Sequence, residues 1–184
     1  MLFEPTEIPE VILICPKRFG DRRGHFVEVF NQETLQGRGL DFVPVQENQS
    51  LSRRTGTVRG LHYQRDPFAQ AKLVRVLRGA IFDVAVDIRP ASSTFGHWVA
   101  RHLTAEDGNQ LFIPKGFAHG FCTLAPDTEI AYLVDAPYRA SHDAAILWSD
   151  PQIAIEWPDA AGTVVSEKDA QAPLLEGAPS ESEA

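Results

Sequence analysis

The stretch 73-LVRVLRGAIFDVAVDIR-89 is the part of the sequence that says most about the fold. It contains two β-rich runs, which meet near Gly79. In the second run large apolar residues recur at every second position, so that Phe82, Val84, Val86 and Ile88 alternate with Asp83, Ala85, Asp87 and Arg89. This period of two is typical of a strand with one apolar face. The stretch therefore predicts two strands joined as a hairpin at Gly79.

Similar short runs recur on both sides of this stretch, at residues 9–14, 25–30, 43–50, 98–103, 110–113, 120–124 and 129–134. Turn sequences containing Gly, Pro and Asp separate them. Many short strands with this punctuation favour an all-β sandwich or barrel over alternating strands and helices. The candidate helices are few and short: residues 32–36, a turn after Asp150 and one near Glu167.

The chain of 184 residues is long enough to bury a core as one domain, which we place at residues 1–175. Residues 176–184 are small and acidic, and we expect them to form a flexible tail. The formal net charge of −8 argues against binding nucleic acid through a basic face. No run approaches the roughly 18 apolar residues of a membrane span, and the N-terminus is acidic where a signal peptide is basic. We therefore expect a cytoplasmic protein that binds no membrane.

The sequence gives no sign of a metal site. Cys15 and Cys122 are far apart and lack the paired spacing of zinc ligands or of a disulfide framework. Metal-binding jelly rolls commonly carry two histidines as H-x-H, whereas His62 is followed by Tyr63 and Gln64. The sequence also contains neither glycine-rich phosphate-loop signature and no G-x-S-x-G motif. We therefore expect any bound nucleotide to be held by side chains.

Two histidines and four cations are candidates for function. His62 lies in 58-VRGLHYQ-64, and His119 lies in 113-IPKGFAHGF-121, where proline and glycines restrict the backbone. Each histidine alone is better explained as a hydrogen-bonded core residue. Isolated cations in an acidic protein would suit an anion such as a diphosphate, and surface salt bridges are the competing explanation. These cations are Arg23, Arg59, Lys72 and Lys168.

The stretch 129-EIAYLVDAPYRASHD-143 adds two tyrosines, Tyr132 and Tyr138. A tyrosine at the end of an apolar strand usually packs against the core or its rim. Opposite a histidine base, the same phenol would be a plausible proton donor. The residues alone leave both explanations open.

Taken together, these segments resemble the dTDP-4-dehydrorhamnose 3,5-epimerase family of the cupin-like jelly rolls. The resemblance runs from about Pro5 to Leu175, through FGDRRGHFVEVFNQ, VQENQS, VRGLHYQ, KLVRVLRGAIFDVAVDIR, SSTFGHWV, LFIPKGFAHGF, ILWSDP and SEKDAQAPLL in this order. It implies an all-β, cupin-like jelly-roll sandwich or barrel with a few short helices, mainly C-terminal. It also implies a cofactor-free epimerase that acts on a dTDP-linked 4-keto-6-deoxyhexose.

The resemblance assigns a role to each catalytic candidate. His62 is implied to be the base, and Asp169 to orient its imidazole. Lys72 would stabilise the enolate oxygen at C4, with His119 lining the same pocket. Tyr132 would return the proton from the other face, which inverts the carbon.

Further residues match family positions that bind substrate. Arg23, Arg59 and Lys168 would lie around the diphosphate. The other positions expected to contact the nucleotide or sugar are Glu28, Gln46, Asn48, His119, Tyr138 and Asp143. The family also suggests a homodimer in which an N-terminal strand is exchanged across a two-fold axis, which would cover sheet edges.

Some residues depart from the family pattern. Residues 133–138 read LVDAPY where many members carry a lysine and two threonines, Asp143 replaces a usual glutamate, and Glu47 replaces a usual aspartate. Two alternatives therefore stay open beside epimerisation at C3 and C5. One is a C3-only epimerase of another deoxysugar pathway, and the other is a jelly roll that binds a sugar nucleotide without catalysis.

Overall fold

A computed structural model of the chain describes residues 1–158 and 163–178. The strands in these ranges are β1 (Leu2–Pro5), β2 (Ile12–Cys15), β3 (Arg18–Asp21), β4 (Gly24–Val27), β5 (Gln46–Ser52), β6 (Val58–Gln64), β7 (Lys72–Arg78), β8 (Ala80–Asp87), β9 (Trp98–Thr104), β10 (Gln110–Ile113), β11 (Phe117–Thr123), β12 (Thr128–Val134) and β13 (Asp143–Ala145). The helices are α1 (Gln32–Gln36), α2 (Glu167–Ala170) and a 3₁₀ turn (Leu175–Gly177). No helix in the described part of the chain has the length and apolarity needed to cross a membrane.

The strands form two antiparallel sheets and a separate ribbon. One sheet has six strands in the order β1-β2-β10-β7-β12-β5, and the other has five in the order β13-β6-β11-β8-β9. The ribbon consists of β3 and β4. The predicted all-β architecture is confirmed.

The predicted hairpin at Gly79 is wrong. The two strands exist, but β7 pairs with β10 and β12 in one sheet, while β8 pairs with β11 and β9 in the other. Gly79 has a φ of +79°, and a Cβ atom there would collide with the Thr128 hydroxyl. The turn therefore carries the chain from one sheet to the other. Alternation identifies a strand but does not specify its partner, which is why the sequence suggested the nearest one.

Strand β8 is buried on both faces, although its pattern predicted one apolar face. Ile81 and Ala85 pack into the main core cluster together with residues of the six-stranded sheet. Val84 and Val86 pack on the other side against a cluster that contains Ile153 of the C-terminal part of the chain. Asp83 and Asp87 lie on the same face as Ile81 and Ala85, toward the other sheet, and both are fully buried. Both acids must therefore find partners inside the protein.

The short helices occur where the sequence predicted them. Helix α1 spans residues 32–36 and is capped by the side chain of Asn31, which accepts a hydrogen bond from the Thr34 amide. Residues 151–153 form a turn after Asp150, and α2 begins at Glu167. Of the expected tail, residues 176–178 are described and start in the 3₁₀ turn, whereas residues 179–184 lie outside the described residues. The domain boundary therefore remains a prediction.

Candidate active site

A cavity of about 450 Å³ opens between the two sheets and collects most of the predicted site residues. Its lining includes Gln46, Asn48, Arg59, His62, Lys72, His119, Tyr132, Tyr138, Asp143 and Lys168. Asp169 lies directly behind His62 and lines a neighbouring cavity of about 370 Å³. Residues from Gln46 to Asp169 are thus brought to one place, as a shared substrate would require.

His62 and Asp169 form a hydrogen-bonded pair between β6 and α2. Nε2 of His62 lies 2.8 Å from Oδ1 of Asp169, and the Gly60 amide donates to Oδ2 at 3.3 Å. Burial of this carboxyl opposes its ionisation, but the His62 and Gly60 hydrogen bonds hold the pKa of Asp169 below its usual value. Because a carboxylate only accepts hydrogen bonds, the proton of neutral His62 lies on Nε2. Nδ1 keeps its lone pair, as a base requires.

The close approach of β6 and β11 depends on two glycines. Gly60 has a φ of +123°, and a Cβ atom there would lie 2.6 Å from the Cα of Gly120. A Cβ on Gly120 would in turn meet the Arg59 carbonyl at 2.9 Å. Neither strand can carry a side chain at this crossing. The contact places His119 directly across from His62 in the strand register.

His119 forms a second histidine–aspartate pair, with Asp83 of β8. Its Nε2 lies 2.8 Å from Oδ1 of Asp83, and both side chains are buried. Burial lowers the pKa of His119, Asp83 opposes this shift, and the nearby Lys72 and His62 reinforce it. The ring is therefore neutral, with its proton directed at Asp83. The sequence predicted His119 in the pocket but placed it just outside a strand beginning at residue 120, whereas β11 begins at Phe117.

Asp83 is the site residue that sequence reasoning missed. Its Oδ2 atom is buried and has no hydrogen-bond partner among the described residues. The available signal was its place in the β8 alternation, on the same face of the strand as Ile81 and Ala85. Without knowledge of the second covering layer, Asp83 looked like a solvent-facing residue.

Lys72 contributes a buried ammonium group to the cavity. It is the first residue of β7, it is 7% exposed, and its Nζ donates to the His62 carbonyl at 3.1 Å. Burial lowers the pKa of Lys72 to about 8, although the charges of Asp83 and Asp143 oppose the shift. At neutral pH this lysine is thus a cation in a poorly solvated place, where its field acts strongly on nearby charge.

Tyr132 enters the cavity from the opposite sheet. It lies on β12 in the six-stranded sheet, while His62 lies on β6 in the five-stranded sheet. Burial raises the pKa of Tyr132, Asp143 adds to this effect, and Arg59 opposes it. The hydroxyl has no hydrogen-bond partner in residues 1–158 and 163–178. A base and a protonated phenol therefore face one another across the cavity.

The cavity mouth carries two cations. The Arg59 guanidinium donates to the Ser52 hydroxyl at 3.1 Å. The Lys168 ammonium lies 2.5 Å from the Asp143 carboxylate, and this hydrogen bond raises the pKa of Lys168. The Tyr138 hydroxyl lies 3.5 Å from the same carboxylate. An anionic ligand at the mouth would meet two positive charges.

Arg23 and Glu28 do not line the cavity of their own chain. Arg23 lies in the turn of the β3–β4 ribbon, where its side chain is 84% exposed and paired with Asp21 at 2.6 Å. Glu28 is exposed and accepts a hydrogen bond from Asn31. Their expected contacts with substrate remain a prediction. Within the described ranges, no group of three or more His, Cys, Asp and Glu residues is placed to hold a metal ion.

Known proteins of one family are similar to this chain. The profile of the dTDP-4-dehydrorhamnose 3,5-epimerase family matches residues 5–177. A dTDP-4-dehydrorhamnose 3,5-epimerase from Sinorhizobium fredii is 54% identical over 175 residues, which cover 95% of this chain and 90% of the relative. An epimerase from Legionella pneumophila, solved in complex with dTDP-4-keto-L-rhamnose, is 44% identical with a TM-score of 0.91, covering 95% of this chain and 93% of that one.

A structure with a narrower activity is also similar. A 3′-monoepimerase from Streptomyces bikiniensis, in complex with dTDP-quinovose, is 33% identical with a TM-score of 0.87, and the match covers 94% of this chain and 87% of that one. The fold is therefore common to proteins that differ in the number of carbons they invert. Profile, relatives and structures all point to one family, and this chain belongs to the dTDP-4-dehydrorhamnose 3,5-epimerase family.

Proposed function

We propose that the chain epimerises dTDP-4-dehydro-6-deoxy-D-glucose at C3 and C5, giving dTDP-4-dehydro-L-rhamnose. The observation that carries this proposal is the placement of His62, backed by Asp169, opposite Tyr132 across one cavity. A base on one sheet and an acid on the other can address the two faces of a ring bound between them. Inversion of a carbon requires this arrangement, because the proton must leave from one face and return to the other.

The chemistry follows from the acidity of hydrogens next to a ketone. Nδ1 of His62 takes the proton from C5 or C3, and the electron pair of the broken C–H bond moves into an enolate whose charge lies on the C4 oxygen. The Lys72 ammonium stabilises that oxygen, and its effect is large because the lysine is buried. Tyr132 then donates its phenolic proton to the opposite face of the carbon. Solvent restores both groups before the second carbon reacts, so the cycle needs no hydride carrier.

Asp169 and Asp83 support this chemistry from behind. Asp169 keeps the proton of neutral His62 on Nε2 and stabilises the imidazolium formed when Nδ1 is protonated. Asp83 holds His119 and opposes the loss of charge from Lys72 in its buried position. The cavity is therefore prepared for a negative charge at one place before substrate arrives.

Arg59 and Lys168 suit the diphosphate of the substrate. Both line the cavity mouth, and Lys168 is held there by its contact with Asp143. A phosphate can take over part of this contact, because an exposed ion pair costs little to rearrange. Gln46 and Asn48, which are hydrogen-bonded to each other at 2.8 Å, present amide groups for the nucleotide or sugar.

A homodimer would explain the position of Arg23 and Glu28. The β3–β4 ribbon is exposed and carries Phe19 and Phe26, whose exposed fractions of 55% and 69% are unusual for phenylalanine on a free surface. A partner covering this ribbon would bury both rings and could receive Arg23 in its own cavity. Sedimentation equilibrium at micromolar concentration would contradict this part of the proposal if it found monomers alone.

The test of catalysis is deuterium exchange into the keto sugar in heavy water, compared between the wild-type protein and His62→Ala. We expect wild type to incorporate deuterium and invert the sugar, and His62→Ala to do neither at a comparable rate. Unchanged exchange in the variant would refute the catalytic role and favour the binding-only alternative. The C3-only alternative is favoured by the divergent residues 133–138 and by the similarity to a 3′-monoepimerase. Label confined to C3 would establish it.

A further inference from the structure

Residues 136–139, which carry Tyr138 between β12 and β13, are held by glutamine side chains. The segment has no strand partner in the two sheets. Each of its four residues instead takes part in a hydrogen bond to a glutamine amide. The bonds join Gln70 Nε2 to the Ala136 carbonyl (2.7 Å), Gln64 Nε2 to the Pro137 carbonyl (3.2 Å), the Tyr138 amide to Gln46 Oε1 (3.1 Å), and the Arg139 amide to Gln64 Oε1 (2.6 Å).

The three glutamines reach the segment from different parts of the fold. Gln46 begins β5 in the six-stranded sheet, Gln64 ends β6 in the five-stranded sheet, and Gln70 lies in the link to β7. All three line the cavity. The segment is thus tied to both sheets at the edge of the site. We call this set of residues the glutamine cradle.

Gln64 is the central member of the cradle. It is 4% exposed, and its Nε2 also donates to the Phe68 carbonyl at 2.7 Å. Both amide hydrogens and the amide oxygen are therefore used. A side chain of similar length without these groups would leave the Pro137 carbonyl and the Arg139 amide without their half-buried partners, which would loosen the segment. Gln64 also lies only two residues from His62 on the same strand.

The cradle determines where Tyr138 stands. The Tyr138 ring is 52% exposed and lines the cavity, so few packing contacts restrain it. Its backbone amide is bound by Gln46, and the residues on both sides of it are bound by Gln64. The Tyr138 hydroxyl then reaches Asp143, which also holds Lys168. A shift of the segment would therefore move Tyr138, which lines the cavity.

We propose that Gln64 and Gln70 are positioning residues for substrate binding, which act by holding the segment that presents Tyr138 to the bound dTDP-sugar. This inference rests on the proposed function, because it takes the sugar nucleotide as the occupant of the cavity. The proposal predicts that loosening the cradle weakens substrate binding more than it slows the chemical steps. The catalytic groups His62, Lys72 and Tyr132 lie on strands, and the glutamines do not hold these strands through the segment. A displacement of about 1 Å in a positioning element can change a rate or an affinity substantially.

The test compares Gln64→Met and Gln70→Met with the matched control Gln49→Met. Gln49 lies on β5, the strand that begins with Gln46 of the cradle. Its side-chain amide binds the Glu129 side chain at an exposed position, outside the cradle. We expect the two cradle variants to raise KM for the keto sugar about tenfold and to change kcat less than about threefold, as expected for lost ground-state binding. The control should change neither. Thermal unfolding verifies that each variant is folded, and Gln70→Met, which loses a single hydrogen bond, is the safer variant if Gln64→Met does not fold.

A double-mutant cycle separates positioning from general destabilisation. If Gln64 acts through Tyr138, then Gln64→Met should change KM less than about twofold when Tyr138 is already alanine, because the two changes remove the same contact. Full additivity, or a fall in kcat with KM unchanged, would overturn the proposal. Calorimetric binding of dTDP-glucose, which lacks the ketone, gives the same comparison without catalysis. If wild type binds dTDP-glucose but does not epimerise the keto sugar, the proposed function fails while the cradle is still tested by the change in Kd.

Discussion

Replacing Asp169 with asparagine should remove most of the activity while leaving the cavity intact. In the wild-type protein one carboxylate accepts hydrogen bonds from both His62 Nε2 and the Gly60 amide. An asparagine offers one oxygen and one NH₂ group, so it can satisfy only one of these donors. If its NH₂ faces His62, the imidazole proton moves to Nδ1 and the base is lost. If its NH₂ faces Gly60, two donors oppose each other in a buried place.

Either arrangement also removes the charge that stabilises the imidazolium form of His62. General-base catalysis of this kind contributes about 10²- to 10⁴-fold, and we expect Asp169→Asn to lower kcat by about 10²- to 10³-fold. This loss corresponds to about 2.7–4 kcal/mol in the activation free energy. KM should change little, because Asp169 lies behind His62 and does not line the main cavity.

The assay is deuterium incorporation into the keto sugar, followed by NMR under saturating substrate. Glu167→Gln is the matched control, because it makes the same chemical change at an exposed position of the same helix. The control should keep wild-type exchange. If Asp169→Asn exchanged deuterium within about threefold of wild type, the pairing of Asp169 with His62 would have no catalytic importance, and the reasoning would be refuted.

Three further predictions follow from the same geometry. Tyr132→Phe should lower the rate of formation of inverted product by more than about 10²-fold, while His62 still exchanges substrate protons with solvent. NMR measures the inverted product, and mass spectrometry measures the exchange. An equal loss of inversion and exchange would contradict a role for Tyr132 as acid alone. The rate kcat/KM should fall as pH rises through about 8, because the pKa of Lys72 is lowered to that value and only its protonated form stabilises an enolate; a rate that stays constant to pH 10 would contradict this. Gly60→Ala should reduce the free energy of unfolding by about 3 kcal/mol or more, because a Cβ there meets Gly120 and the φ of residue 60 is positive. Denaturant titrations measure this change. A change below about 1 kcal/mol would show that β6 and β11 can separate to make room for the side chain.

The sequence predicted most of the strands but not their pairing, and it missed the short strands β1, β3 and β13. Period-two alternation and turn residues located β8, β10 and β12 to within a residue or two. The partner of β7 could not be read locally, because pairing depends on contacts between residues far apart in the chain. This is why a hairpin at Gly79 was expected where the chain changes sheets.

The candidate site is formed by residues that are far apart in the chain, and no single residue could reveal it. His62 and Asp169 are separated by 107 positions, and each alone resembles an ordinary core residue or an ordinary helix acid. The family resemblance placed both in one site, and the structure brings them to 2.8 Å. Asp83 went unnoticed because the large apolar residues of β8 suggested which side of the strand faces the core. In the structure residues much later in the chain cover that side, and Asp83 lies on the side that faces the six-stranded sheet. Arg23 illustrates the opposite limit, since a position that matches a binding motif need not face the cavity of its own chain.

The most direct test of the account is the position of deuterium in the product formed in heavy water. Base and acid on opposite faces of one cavity predict inversion at both carbons next to the ketone. The product should therefore be dTDP-4-dehydro-L-rhamnose carrying one deuterium at C3 and one at C5. A product labelled and inverted at C3 alone would contradict double epimerisation, and a sugar recovered without label would contradict catalysis by His62 altogether.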